Sequence, residues 1–285
     1  MITLSSEKLQ MALHEPLDGF YKGTRFDRAG VFDSVLFNGV ELCDAWFPHY
    51  DPYMHDAVKG PVEEFSPVGY DKSHGFFIKP GVGVLRRPDN APYDRFRLYE
   101  VIEPGEWTME NDETHVLFRH AVKGIYEYEK VIALSGDDTF EIHHHLSSEA
   151  PLEGEVYNHN FFTMGKLEVG PSRELDFPFC PVGEWRTEYD CVGFTHTGIR
   201  FSRDIKDGET VYAGNIHAAL TDGMPYQMTL REGPLSVSIK GNVPVTRTVL
   251  WSSHRVACLE PYNKFNAAPG KPFSWKIDYK FNKSL

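Results

Sequence analysis

No stretch of the 285-residue chain approaches the roughly 18 consecutive apolar residues that a membrane-spanning helix needs. The opening residues, MITLSSEKLQMALHEPLDGF, lack a basic segment followed by an apolar run, and they lack a small-residue cleavage pattern. Neither a span nor a secretory leader is therefore expected, and the expected compartment is the cytoplasm. Cysteine is scarce: Cys43, Cys180, Cys191 and Cys258 show no C-x-x-C spacing, and they are too few for a disulfide framework in a chain of this length. Positive charge is outnumbered, 29 Lys and Arg against 41 Asp and Glu, and the formal charge of -12 repels a phosphate backbone. That argues against nucleic acid and against an anionic membrane surface as partners. Helical periodicity is nearly missing; only SSEKLQMALH, with Ser5 or Ser6 as N-cap, predicts a short helix. There is no internal repeat or low-complexity tract. The 19 prolines and 24 glycines are dispersed as turn punctuation instead of gathered into a linker, so residues 1–285 read as one domain.

What the chain does contain is a period of two, with 41% apolar and 14% aromatic residues to fill a large core. In SWKIDYKF, Trp275, Ile277, Tyr279 and Phe281 alternate with Ser274, Lys276, Asp278 and Lys280, the pattern of a half-buried antiparallel strand. VFDSVLFNGVEL carries Asn38-Gly39 between apolar runs, which predicts a type I′ hairpin, and YQMTLREGPLSVSIKG predicts a turn at Glu232-Gly233. YEYEKVIALSGDDTFEIHHHLSS reads as strand, turn at 135–138, strand. The fold class is all-β, and at this length the strands must form a large two-sheet antiparallel sandwich.

Some motifs lose force on inspection. Gly81 and Gly83 in KPGVGVLRR lack the spacing of a phosphate-binding loop and a following helix, so they read as bulge or turn glycines. In HHHL, strand alternation puts His143 and His145 on one face with Glu141, and Glu149 follows, so a divalent-metal site there is one reading. A solvent-facing histidine cluster is the other. No G-x-S-x-G elbow supports nucleophilic hydrolysis.

Two segments do better together than apart: VYNHNFFTMG in mid-chain, and RVACLEPYNKFNAAPGKPFSWKIDYKF near the C-terminus. The first holds Asn158, His159, Phe161 and Phe162. The second holds Cys258, Leu259 and Glu260, then Pro269-Gly270, then Tyr279 and Phe281. In order and placement they resemble the signature segments of the aldose 1-epimerase, or galactose mutarotase, superfamily. That resemblance implies a β-supersandwich acting on a small-molecule sugar. Its catalytic pair is His159 as general acid and Glu260 as general base, and it needs no metal, nucleotide or other cofactor. Ring opening removes a proton from the C1 hydroxyl and delivers one to the ring oxygen; an ionised carboxylate and an imidazolium suit those two tasks. Taken alone, His159 reads equally well as a core histidine packed among aromatics, and Glu260 as a strand-end carboxylate in a surface pair.

The family's upstream Leu-His-Gly-Gly element is absent, and His55 and His74 are the candidates to replace its histidine. Pro261 after the glutamate is similar to the hexose-6-phosphate epimerase branch, for which Lys22, Arg25 and Arg28 would be the basic side chains. If GTRFDRAG alternates as a strand, Arg25 and Asp27 share a face, with Phe26 opposite, and can hold sugar hydroxyls; an intrastrand surface pair is the plain alternative. The expected substrate-binding set is Arg25, Asp27, His74, Asn158, Phe161 and Trp251, with Phe162 a further aromatic. The sequence also leaves open a non-catalytic carbohydrate-binding protein on the same scaffold.

Overall fold

Alternation along the chain is realised as antiparallel strand pairing in the computed structural model, which describes residues 1–70, 75–165, 168–186, 190–220 and 224–284. Among these residues there is no helix, and none is therefore long and apolar enough to cross a membrane. A ten-stranded sheet includes Tyr126–Gly136, Thr139–Ser148 and Phe273–Lys283; a six-stranded sheet runs in the order Pro181–Trp185, Thr210–Ala218, Arg247–Ser253, Ala257–Ala267, Leu152–Phe161, Gly60–Phe65. Their facing sides share one apolar core, to which Ile132, Ile142 and Tyr279 contribute from the larger sheet and Phe65, Val156, Leu250 and Leu259 from the smaller. Two small sheets, of four and three strands, complete the described structure.

The turn chemistry works locally. Asn38 and Gly39 both take positive φ (48° and 75°) between Phe32–Phe37 and Val40–Glu41, as a type I′ turn requires. The later hairpin turns one residue beyond the expected pair: Glu232 is opposite Leu235, so Gly233, at φ 55°, and Pro234 form the loop. Proline has φ fixed near -65°, so it suits the second position of a turn whose first residue is a left-handed glycine. Gly81 lies in the tight turn that brings Lys79 opposite Gly83, and a Cβ on Gly81 would sit 2.1 Å from Asp27 Oδ1. It is a turn glycine forced by close approach.

The expected N-terminal helix does not form. Ile2–Ser5 and Leu9–Leu13 are paired strands, with Ile2 opposite Leu13, and the buried residues Leu9, Met11 and Leu13 alternate with Gln10 and Ala12. Ser6 accepts a hydrogen bond from the Leu9 amide at 3.1 Å, which closes the turn instead of capping a helix. Helix propensity in Glu7, Lys8 and Gln10 is weaker than the gain from burying one face of a two-sided ribbon.

The core also contains charge. Lys130, Asp27 and Glu63 are buried together: the Lys130 ammonium donates to both carboxylates, Tyr128 donates to Asp27 at 3.0 Å, and His144 Nε2 lies 3.2 Å from Glu63. Removing one member leaves uncompensated charge in a dry site. Lys130→Met is expected to destabilise the fold by roughly 3–5 kcal/mol. By contrast, Arg119→Ala, which breaks exposed cross-strand pairs with Glu110 and Glu129, should leave stability nearly unchanged. Urea unfolding of the two variants checks this; equal effects would contradict it.

Candidate functional site

The six-stranded sheet has one face in the core, so strict alternation decides which side chains reach its other face. Tyr157 is opposite Glu64 and His159 opposite Val62 on one neighbouring strand, while Tyr157 is opposite Tyr262 on the other. The same register continues along the next pair, with Glu260 opposite Val249 and Cys258 opposite Trp251, and Trp251 opposite Tyr212. Odd-numbered residues of 157–161 and even-numbered residues of 258–262 therefore share the outer face. There, His159 Nδ1 comes within 3.1 Å of Glu260 Oε1, and His159 Nε2 is 3.1 Å from Glu64 Oε2.

Both imidazole nitrogens thus face carboxylate oxygens. The Nε2 contact is a hydrogen bond; the Nδ1 approach is close but out of line, and Nδ1 has no hydrogen-bond partner. Glu64 is fully buried, and Arg25 Nε donates to its Oε2 at 2.8 Å while Arg95 Nε lies 3.8 Å from Oε1. Burial opposes ionisation of Glu64, but the Arg25 charge, the His159 hydrogen bond, Arg95 and Lys79 outweigh it and hold the carboxyl well below the usual range. Lys79, also buried, donates to the Arg25 carbonyl at 2.6 Å and to the Tyr93 hydroxyl at 3.0 Å. Its burial, opposed by Glu64 and reinforced by Arg25 and Arg95, pushes its ammonium down to about 7.

Beside these residues lies a pocket of about 190 Å³. Glu260 and Arg25 line it, with Trp46, Phe161 and Trp251 forming an aromatic wall and His55 and Asp56 across from them. Trp46 stacks on Phe161 with ring centroids 4.9 Å apart and meets Trp251 edge-on at 5.3 Å. His159 lies behind this wall. It is completely buried, with the Phe26 ring edge-on at 4.9 Å and Phe161 stacked at 5.6 Å.

The structure sorts the expected residues. Arg25, Phe161, Trp251 and Glu260 line the pocket, and His159 touches Glu260. Asn158 does not reach it: one residue out of step with His159, it points into the core, where its Oδ1 accepts from Tyr226 and Tyr279 and its amide donates to Glu63. Phe162 faces the same core, against Tyr279 and Phe281. Asp27 belongs to the Lys130 network, because GTRFDRAG is not a strand and Phe26, not Asp27, accompanies Arg25 to the site. Lys22 lies over Tyr53 at 5.3 Å, and Arg28 donates to the Lys22 and Gly23 carbonyls; neither lines the pocket. His74 lies outside the described residues.

The His143 and His145 reading is not assembled either: His143 pairs with Glu141 at 2.8 Å, His145 bonds Ser274 at 2.8 Å, and the buried middle residue, His144, stacks on Trp275. Among the described residues, one trio of metal-ligating donors converges, His159, Cys258 and Glu260, with donor atoms within 4.8 Å of one another. Burial, reinforced by the Glu260 charge, pushes the Cys258 thiol well up, so the trio offers an imidazole and a carboxylate beside a protonated thiol.

Sequence reasoning missed Glu64, Arg95, Lys79 and Trp46. A signal for Glu64 exists: GPVEEF places two adjacent glutamates inside an apolar strand, so any strand buried on both faces must supply cations on both sides.

Lys79 generates a pH test. Its folded-state value of about 7 lies below the unfolded one near 10.4, so between those values the unfolded chain binds more protons. Stability contributed at this position therefore rises with pH across that window. Relative to Lys79→Met, the native chain should gain on the order of 1 kcal/mol per pH unit between about pH 7 and 9, read by urea unfolding; parallel pH profiles would contradict it.

No protein-family model and no curated relative matches the chain. Solved structures do. A galactose mutarotase related enzyme from Lactobacillus acidophilus superposes with TM-score 0.58 at 11% identity, covering 100% of this chain and 98% of that one. The aldose epimerase homologue from C. elegans gives 0.57 at 12% identity, covering 100% and 99%. A galactose mutarotase-like protein from Clostridium acetobutylicum gives 0.57 at 12%, covering 99% and 94%. At these identities the likeness establishes the fold: the chain is an all-β galactose mutarotase-like supersandwich.

Proposed function

We propose that the chain is an aldose 1-epimerase-like isomerase that interconverts the anomers of a hexose by acid and base catalysis. The observation that carries this reading is Glu260, a largely buried carboxylate that lines an aromatic-walled pocket and lies 3.1 Å from His159. A pyranose lays its C–H face on Trp46, Phe161 or Trp251 while Arg25 and Arg95 donate to its hydroxyls. Glu260 takes the C1 hydroxyl proton; the C1–ring oxygen bond breaks, and the ring oxygen takes a proton from the imidazolium. Rotation about C1–C2 and the reverse transfers close the other anomer, so no proton or electron is gained or lost.

Glu64 is the positioning residue of this scheme. It holds Nε2, leaving Nδ1 turned toward Glu260 and the pocket. A small displacement of the Glu260 carboxylate by a bound sugar opens Nδ1 to the ring oxygen.

The burial of His159 supports a second reading, in which the scaffold binds a carbohydrate without turning it over. It also leaves His55, an imidazole at the pocket wall, as a rival acid. Polarimetry on freshly dissolved glucose, galactose and a hexose 6-phosphate separates these outcomes. Glu260→Gln is expected to lose a factor on the order of 10² to 10⁴ while retaining sugar binding, and His159→Gln a comparable factor. A native chain that binds sugar by calorimetry but leaves every rate at the buffer value supports the binding-protein reading. A His55→Gln variant that loses that factor while His159→Gln keeps the native rate reassigns the acid.

A further inference from the structure

The pocket at Glu260 is small, below the roughly 300–1,000 Å³ usual for a ligand cleft. It does not end at its own wall. Arg95, Phe96 and Tyr212 are shared with an adjoining cleft of about 540 Å³ on the same outer face of the sheet. That cleft is polar, and three of its residues are arginines, Arg95, Arg186 and Arg247, in a chain of formal charge -12.

Each guanidinium lies over a tyrosine ring: Arg247 over Tyr262 at 4.1 Å, Arg95 over Tyr157 at 5.4 Å and Arg186 over Tyr212 at 5.5 Å. Tyr157 and Tyr262, both buried, stack on one another with centroids 4.0 Å apart beneath the Arg95 and Arg247 guanidinium groups. Stacking holds a guanidinium plane flat and leaves its edge N–H groups free to point outward. Arg247 gives two of its donors to Glu155, at 2.7 and 2.9 Å. Arg95 has Glu64 at 3.8 Å, and Arg186 has Glu184 at 4.0 Å, with its side chain 67% exposed. Each guanidinium carries five N–H groups, more than these contacts with described residues use. Asp94 is the carboxylate among the described residues that line the cleft, and Glu155, Glu184 and Glu64 stand beside Arg247, Arg186 and Arg95.

The geometry points to a second sugar subsite: we infer that the substrate is an acidic oligosaccharide whose reducing-end ring occupies the Glu260 pocket and whose next, anion-bearing unit lies in the arginine cleft. This rests on the proposed activity for the first ring and extends it to substrate class. The cleft is larger than the pocket that holds the first ring, so it takes a whole sugar unit instead of one anionic group. The guanidinium planes held on the tyrosines supply a flat surface for its ring and bidentate donors for its carboxylate.

Calorimetry with four probes tests it: a disaccharide of two uronic acids with a free reducing end, the matching neutral disaccharide, the monomeric uronic acid and a hexose 6-phosphate. The acidic disaccharide is expected to bind at least roughly tenfold more tightly than each of the others, the scale of one charge-assisted hydrogen bond. That margin should shrink at about 1 M salt. Arg186→Gln, at an exposed position outside the core, should narrow the ratio of acidic to neutral disaccharide affinity by roughly tenfold, and Arg247→Gln likewise. Equal affinity for the acidic and neutral disaccharides overturns the subsite. A hexose 6-phosphate bound as tightly as the acidic disaccharide overturns it too, because the anion then lies on the first ring. Binding is read apart from turnover, so the two proposals fail separately: preference for the acidic disaccharide without mutarotation removes the activity and keeps the subsite, and mutarotation of a monosaccharide without that preference does the reverse.

Discussion

Glu63 and Glu64 are consecutive on a strand whose six residues are all buried, so their carboxylates leave it in opposite directions and neither reaches bulk water. Two adjacent charges in that position are tolerable only if each side of the strand supplies cations and donors of its own. On the core side Glu63 meets Lys130, His144 and the Asn158 amide. On the outer side Glu64 meets Arg25, Arg95 and His159. Much else follows from this doublet. The core network ties this strand of the six-stranded sheet to Tyr126–Gly136 and Thr139–Ser148 of the ten-stranded one, and the outer network fixes the imidazole against which Glu260 sits.

The doublet also explains how the site divides labour. Glu64 is buried between Arg25, Arg95 and His159 and is held ionised, so it is suited to orienting charge and not to exchanging protons with a substrate. Glu260 lies at the pocket wall, next to an imidazole nitrogen that no aligned hydrogen bond occupies. In the proposed reaction, the carboxylate that positions and the carboxylate that reacts are separated by one histidine ring. Known structures of the same fold match the scaffold at 11–12% identity, and a scaffold shared at that level says nothing about which sugar is bound.

Much of the fold was legible because the signal for a two-sided sandwich is local. Alternation in 273–283, Asn38-Gly39 and the dispersed glycines each report on a few neighbouring residues. The N-terminal ribbon was not, because Glu7, Lys8 and Gln10 favour helix and only the tertiary burial of Leu9, Met11 and Leu13 decides against it. His159 and Glu260 could be paired on paper through the two motif segments. Asn158 came in with the motif segment that carries the resemblance, and the period of two that identified the strand already put it on the wrong face. Asp27 failed for a different reason: its segment was read as a strand and is an irregular loop, so the parity argument had no footing. Arg95 and Trp46 come from loops with no periodicity, and what brings them to the pocket is long-range contact that no local pattern records.

The central claim is that Glu260 and His159 act on one sugar ring in this pocket. The most direct measurement is a crystal structure of the Glu260→Gln variant soaked with a hexose. The account predicts the ring stacked on the Trp46 and Phe161 wall, with its anomeric oxygen within hydrogen-bond reach of residue 260 and its ring oxygen within reach of His159 Nδ1. A hexose whose anomeric carbon points away from residue 260, or whose ring oxygen reaches neither imidazole nitrogen of His159, would contradict it.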